Sequence, residues 1–119
     1  MSRLEVRLLE ARNLKDEDTI GQNDAYIELW LDEDYKQRSS VVNNSNNPTW
    51  NETFTLQVIG GKHKLHLKAI DQDVGDKDKI GEGSIDVGAA LSGQVIDGGY
   101  SCFAVTFCLI WAVVETGIV

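Results

Sequence analysis

Residues 62–83 read KHKLHLKAIDQDVGDKDKIGEG, and two patterns meet within them. From Lys64 to Ala69 apolar and polar residues alternate. Leu65, Leu67 and Ala69 take one parity, and Lys64, His66 and Lys68 take the other. A period of two belongs to a strand with one buried face. At Asp71 the apolar positions give way to acids: Asp71, Asp73, Asp76 and Asp78 precede Gly81 and Glu82. A further strand is expected over about 80–87, which leaves the acids in the connection between two strands.

The same period recurs outward from this stretch. RLEVRLL at 3–9 alternates Leu4, Val6 and Leu8 with Arg3, Glu5 and Arg7. AYIELWL at 25–31 reads as a strand, with YKQRSSVV at 35–42 as its hairpin partner across Asp32, Glu33 and Asp34. NNSNNP at 43–48 is a turn. TWNETFTLQV at 49–58 alternates again through Trp50, Phe54, Leu56 and Val58, with Glu52 in the same phase at an open edge. Trp30 and Trp50 are both expected in the core. Short strands separated by turns, with no long stretch at helical spacing, indicate an antiparallel sandwich or barrel. Residues 89–99 are small and turn-prone, with only ALSGQVI hinting at a helical turn. The apolar run 103–114 is too short for a membrane-spanning helix, which needs roughly 20 residues. Two closing core strands, broken near Cys108, are expected there.

A chain of 119 residues suffices for one domain with a hydrophobic core. Its 19 acidic and 11 basic residues leave a net charge of -8. That balance argues against a nucleic-acid partner, which calls for a basic footprint. It leaves a membrane surface open, because a bound cation reverses the sign locally. Cys102 and Cys108 make neither a disulfide scaffold nor a metal knuckle and are expected as thiols. The opening MSRLEVRLLEARN has scattered charges and no continuous apolar run, so no export leader is expected.

The acids raise a chemical question. Asp18 and Asp24 lie in one acidic segment, and Asp71, Asp73 and Asp78 in the other. Acidic turns are common simply because Asp favours turns and stays solvated. Alternatively, the carboxylates converge on a cation that offsets their repulsion. Calcium takes six to eight oxygen ligands in flexible geometry, which suits carboxylates from two loops. The absence of matching His and Cys clusters argues against zinc. An EF-hand reading fails: Asp71, Asp73 and Glu82 fit its spacing, but Asp76 stands where glycine is required and Asp78 where an apolar residue belongs.

Three segments taken in order carry a resemblance: LEVRLLEARNLKDEDTIGQNDAYIEL at 4–29, NNPTWNETFTLQV at 46–58 and LHLKAIDQDVGDKDKIGEGSIDV at 65–87. Together they resemble the C2 domain family, with a strand arrangement similar to that of its phospholipase-type members. The resemblance implies an all-β, eight-stranded antiparallel Greek-key sandwich. It treats residues 1–119 as a single domain, with 1–87 well matched and 88–119 atypical. By motif position it implies Asp18, Asp24, Asp71, Asp73 and Asp78 as calcium carboxylates. Backbone carbonyls of Glu17 and Gln72 would supplement them, and Asp76 is an extra acid that either joins a second ion or stands as a solvated flank. Two departures are visible. Ala25 stands where proline is usual, and the third loop is one residue shorter between Asp73 and Asp78 than in many members.

The function implied is calcium-dependent binding to anionic phospholipid, in a cytoplasmic signalling protein that associates reversibly and peripherally with membranes. Ile20 and Val74 are the candidate apolar tips, and Lys36, Arg38, Lys62, Lys64 and Lys68 form a thin basic stripe that is either a second lipid-binding route or an ordinary solvated face. The alternative is a calcium-independent protein-interaction or adaptor module. No enzyme is expected, since the chain has neither a Gly-x-Ser-x-Gly elbow nor a recognisable Cys–His nucleophile arrangement.

Overall fold

Alternation does build the strands. The computed structural model describes residues 2–12, 14, 21–73, 76–88, 96–101 and 109–118. Among these residues eight strands form: β1 (Ser2–Arg12), β2 (Ala25–Trp30), β3 (Gln37–Arg38), β4 (Thr49–Gln57), β5 (Lys64–Asp73), β6 (Asp76–Asp86), β7 (Ile96–Ser101) and β8 (Leu109–Ile118). They make two four-stranded antiparallel sheets, ordered β4-β1-β8-β7 and β3-β2-β5-β6. The chain belongs to the all-β class. No helix among the described residues is long and apolar enough to cross a membrane.

One core fills the space between the sheets. Leu4, Val6 and Leu8 of β1 meet Trp50, Phe54 and Leu56 of β4 and, from the other sheet, Ile27, Leu29, Leu65 and Leu67. Each such side chain, fully buried, contributes about 1.5–3 kcal/mol. A bulge between Leu8 and Glu10 shifts the phase of β1, so that Ala11 is buried beyond it. The extra residue keeps the strand's apolar side on the core after the twist increases.

The hairpin partner of β2 is shorter than its sequence suggests. Glu33–Tyr35 form a 3-10 turn, capped by Asp32, whose Oδ1 accepts from the Asp34 N–H at 3.0 Å. Only Gln37 and Arg38 then pair as β3. Ser39 is the physical reason. Its buried Oγ accepts from the Ile27 N–H at 2.8 Å, so a side chain interrupts the ladder, which resumes as a bridge between Ala25 and Val42. Glu52 sits on edge strand β4, where it accepts from the Ser40 N–H and hydroxyl. Trp50 is in the core and donates to the Ser40 carbonyl at 2.8 Å.

Three expectations need correction. Trp30 is only half-buried and lies outside the core, stacked on His66 with ring centroids 5.3 Å apart. The strand expected at about 80–87 starts at Asp76, and β5 runs on to Asp73, so the acids lie mostly on a hairpin. At the C-terminal end, β8 begins just after Cys108 as the second closing strand, the first, over 103–107, lies outside the described residues, and β7 takes in Ile96 to Gly99 from the stretch expected as turns. Glycine and aspartate conceal a strand from propensity, yet their backbones ladder as well as any other. Cys102 and Cys108 fall outside the described residues.

Candidate metal centre

On β5 the inward parity runs Leu65, Leu67, Ala69 and then Asp71. The last of these is a carboxylate with no solvent exposure. A charged group in that position is costly unless it is compensated. Asp71 pairs with Ala25 of β2 on one side and Asp78 of β6 on the other. Its Oδ1 accepts from the Asp24 N–H at 2.8 Å. Asp24 is half-buried, and its own Oδ1 accepts from the Asn44 N–H at 2.7 Å, while its carbonyl accepts from the Gln72 N–H at 2.8 Å.

A bulge decides which residue opposes Asp71. The ladder pairs Ala69 with Gly81, then Ile70 with Lys79, so Ile80 is the extra residue. It is fully buried. Had the first register continued, Lys79 would face Asp71 and Lys77 would face Asp73. Instead Asp78 faces Asp71 and Asp76 faces Asp73. At Asp71 an opposite-charge pair of the straight ladder is exchanged for a like-charge one. Like charges directly opposite on a sheet are destabilising by themselves.

The structure thus brings Asp24, Asp71 and Asp78 to one end of the second sheet, with the Asp73–Asp76 pair further along the hairpin. Gln72 lies between the two acidic pairs, opposite Lys77. Asp18 and Glu17 fall outside the described residues, as do Ile20 and Val74. Among the described residues, no three acidic, histidine or cysteine groups are gathered closely enough to hold an ion by themselves. The donors that do adjoin are carboxylates, the oxygen chemistry that suits a hard cation such as calcium.

From sequence, NNSNNP reads only as a turn. The structure makes it the frame of the site. Asn44 Oδ1 accepts from the Gln22 N–H at 2.9 Å, and Asn46 Oδ1 accepts from the Asn23 N–H at 3.0 Å and its side-chain amide at 2.8 Å. Four asparagines within five residues were the available signal.

The basic stripe is interleaved with acids and rings. Lys36 lies 3.5 Å from Glu28 and 4.3 Å from the Trp30 ring centroid, Arg38 lies over Tyr26, and Lys62 pairs with Asp32 at 3.1 Å. The register sets Lys68 between Glu28 and Glu82.

A family model for the C2 domain matches residues 2–102. The chain belongs to the C2 domain family. Mouse cytosolic phospholipase A2 delta is 38% identical over 103 residues, spanning 83% of this C2 chain and 12% of that protein. An Arabidopsis thaliana protein named calcium-dependent lipid-binding protein is 30% identical over 80 residues, 66% of this chain and 16% of that one. A calcium-bound structure of two C2 domains of Extended-Synaptotagmin 2 superposes with a TM-score of 0.88, covering 97% of this chain and 45% of that one at 21% identity, which shows the shared fold. The chain spans about a tenth of the length of the phospholipases it matches.

Proposed function

We propose that this C2 chain binds calcium at its acidic end and, when loaded, docks on anionic phospholipid membranes. The observation that carries this reading is the bulge at Ile80, which sets Asp78 rather than Lys79 against the buried Asp71. Two carboxylates set opposite each other in the register, one of them fully buried, offer oxygen donors of the kind a hard divalent cation takes. The name of the Arabidopsis relative, a calcium-dependent lipid-binding protein, agrees with it. Asp18, Asp24, Asp71, Asp73 and Asp78 are the proposed carboxylate ligands, with Glu17 and Gln72 as carbonyl donors and Asp76 serving a second ion. Residues 1–119 act as one non-catalytic module that associates with membranes reversibly from the cytoplasm.

In this reading bound calcium supplies positive charge and coordination positions for phosphate oxygens. The chain supplies the rest. Asp71 is the anchor, fixed by the Asp24 N–H at the end of the core. Asp24 is oriented by Asn44, and Asp78 presents a solvent-exposed carboxylate from β6.

The test is calorimetric titration of calcium into metal-stripped protein, beside sedimentation with phosphatidylserine-containing vesicles. Saturable binding that is lost in Asp71→Asn, with sedimentation only in calcium, is the expected result. Sedimentation unchanged by chelator would sink the calcium reading. It would favour the alternative of a calcium-independent interaction module working through the mixed-charge Trp30–His66 face.

A further inference from the structure

We propose that Asn44 and Asn46 are positioning residues of the metal centre, acting through the backbone and carboxylate of the Gln22–Asp24 segment. This rests on the calcium reading above. Three successive backbone N–H groups, those of Gln22, Asn23 and Asp24, are taken by side-chain oxygens from distant segments: Asn44, Asn46 and Asp71. The turn also binds in the reverse direction. The Asn44 N–H donates to Asp24 Oδ1 at 2.7 Å, the Ser45 N–H to the Asn23 carbonyl at 2.8 Å, and the Asn46 N–H to Gln22 Oε1 at 3.2 Å. The Asn46 carbonyl accepts from the Leu14 N–H at 2.9 Å. Leu14 and Gly21 flank the first acidic segment, residues 15–20, so one turn is tied to the chain on both sides of it.

The residue types follow from the geometry. Asn44 has φ of 55°, and the Gly21 backbone it approaches has φ of 83°. A Cβ at Gly21 would stand 3.4 Å from Asn44 Oδ1. Asparagine is among the few residues other than glycine that tolerate the left-handed region, and its carboxamide supplies the acceptor as well. Asn46 holds both the backbone and side-chain amides of a fully buried Asn23. With the Gln22–Asp24 backbone clasped in this way and Asp24 Oδ1 held by the Asn44 N–H, the Asp24 carboxylate has a set direction. Partners that orient metal ligands in this way are worth about 10–100-fold in metal affinity when removed.

The experiment compares Asn46→Ala, Asn46→Asp and Asn44→Gly with the parent and with Asp24→Asn. Calcium affinity is measured by calorimetry, and amide hydrogen exchange at residues 22–24 is followed in the metal-free protein. Leu56→Val, at the far end of β4, controls for lost stability without contact with the site. Expected is a loss of affinity of about 10–100-fold in Asn46→Ala, with lost amide protection at Gln22, Asn23 and Asp24. Asn46→Asp, which keeps the acceptor, should recover both, and Leu56→Val should leave affinity unchanged. Asn44→Gly keeps the left-handed backbone and loses only the clasp on Gln22, so it should fold and still bind more weakly. If Asn46→Ala and Asn44→Gly bind like the parent while Asp24→Asn does not bind, the positioning role is overturned and the calcium reading stands. If the parent itself takes up no calcium, both fall.

Discussion

Asp71 occupies a place that strand alternation would fill with an apolar side chain, and its burial separates it from Asp24 and Asp78. Asp24 is half-buried and Asp78 exposed, so water screens their charges in a way denied to Asp71. The contributions to calcium binding should rank by burial. Asp71→Asn, which retains an acceptor for the Asp24 N–H, should weaken calcium binding at least about tenfold, and Asp78→Asn by roughly two- to fivefold. Titration of each variant checks the order, and an equal loss in both would contradict it. A different aspartate dominates at the opposite end. The Asp34 N–H, and then the Lys62 side chain, hold the Asp32 carboxyl below its ordinary value of 3.8. A depressed carboxylate stabilises the fold above its unfolded value and stops doing so as pH falls through the folded one. Asp32→Asn should therefore melt below the parent at pH 7, with the gap closing as pH drops below about 3.8. A gap that stays constant from about pH 7 to about pH 2.5 would show that the charge contributes nothing.

At the level of elements, the hairpin of β5 and β6 carries a like-charge pair that the straight ladder would avoid, and its cost can be measured. Asp78→Lys sets a cation opposite Asp71, the arrangement that Lys79 would give without the bulge at Ile80. Calcium binding should then be lost, and the metal-free protein should melt a few degrees above the parent. A cross-strand charge pair is worth roughly 0.2–1 kcal/mol, and the substitution removes a repulsion as well as adding an attraction. Asp78→Asn, which removes only the repulsion, should fall between the two in metal-free melting temperature. Saturating calcium should raise the parent above Asp78→Lys and so reverse the order. A metal-free parent that already melts as high as Asp78→Lys would show that the facing acids carry no penalty for a cation to relieve. The same hairpin marks where sequence reading succeeds. Period-two alternation made β1, β4 and the first half of β5 legible, because their inward residues are Leu, Val, Trp and Phe. It stopped at Asp71, since an acid at an inward position reads as a loop. Neither Ile80 nor Ser39 announces that it interrupts a ladder, because a bulge depends on the partner strand as much as on its own residues. Asp24, Asp71 and Asp78, which the structure brings to one end of the second sheet, stood out in the sequence as acids of two separate segments. The asparagine frame was not, because its hydrogen bonds span 22 and 23 positions.

Across the whole molecule, a net charge of -8 opposes any approach to an anionic surface, so the docking proposed above would be conditional on a bound cation. The last 40 residues contain no Lys or Arg, and several of the cations nearer the start are engaged locally. Lys36 lies beside Glu28, and Lys62 is paired to Asp32. Such pairs contribute little stability, but they leave less charge to attract lipid phosphate. Docking should therefore depend on the acidic end. With calcium present, the bound fraction on phosphatidylserine vesicles should fall several-fold between about 0.1 M and about 0.5 M salt, because the Debye length shrinks from about 10 Å and the contact is superficial. Lys36→Ala and Lys62→Ala should leave that fraction within about twofold, since each removes a charge that already has a neighbour. Asp71→Asn should abolish docking at every salt concentration. The reverse pattern, with the lysine variants inactive and Asp71→Asn docking normally without calcium, would transfer the membrane contact from the acidic end to the outer face of β2 and β5. A protein docking through that face would require no cation, and its attraction to the surface would then persist in chelator while keeping the same dependence on salt.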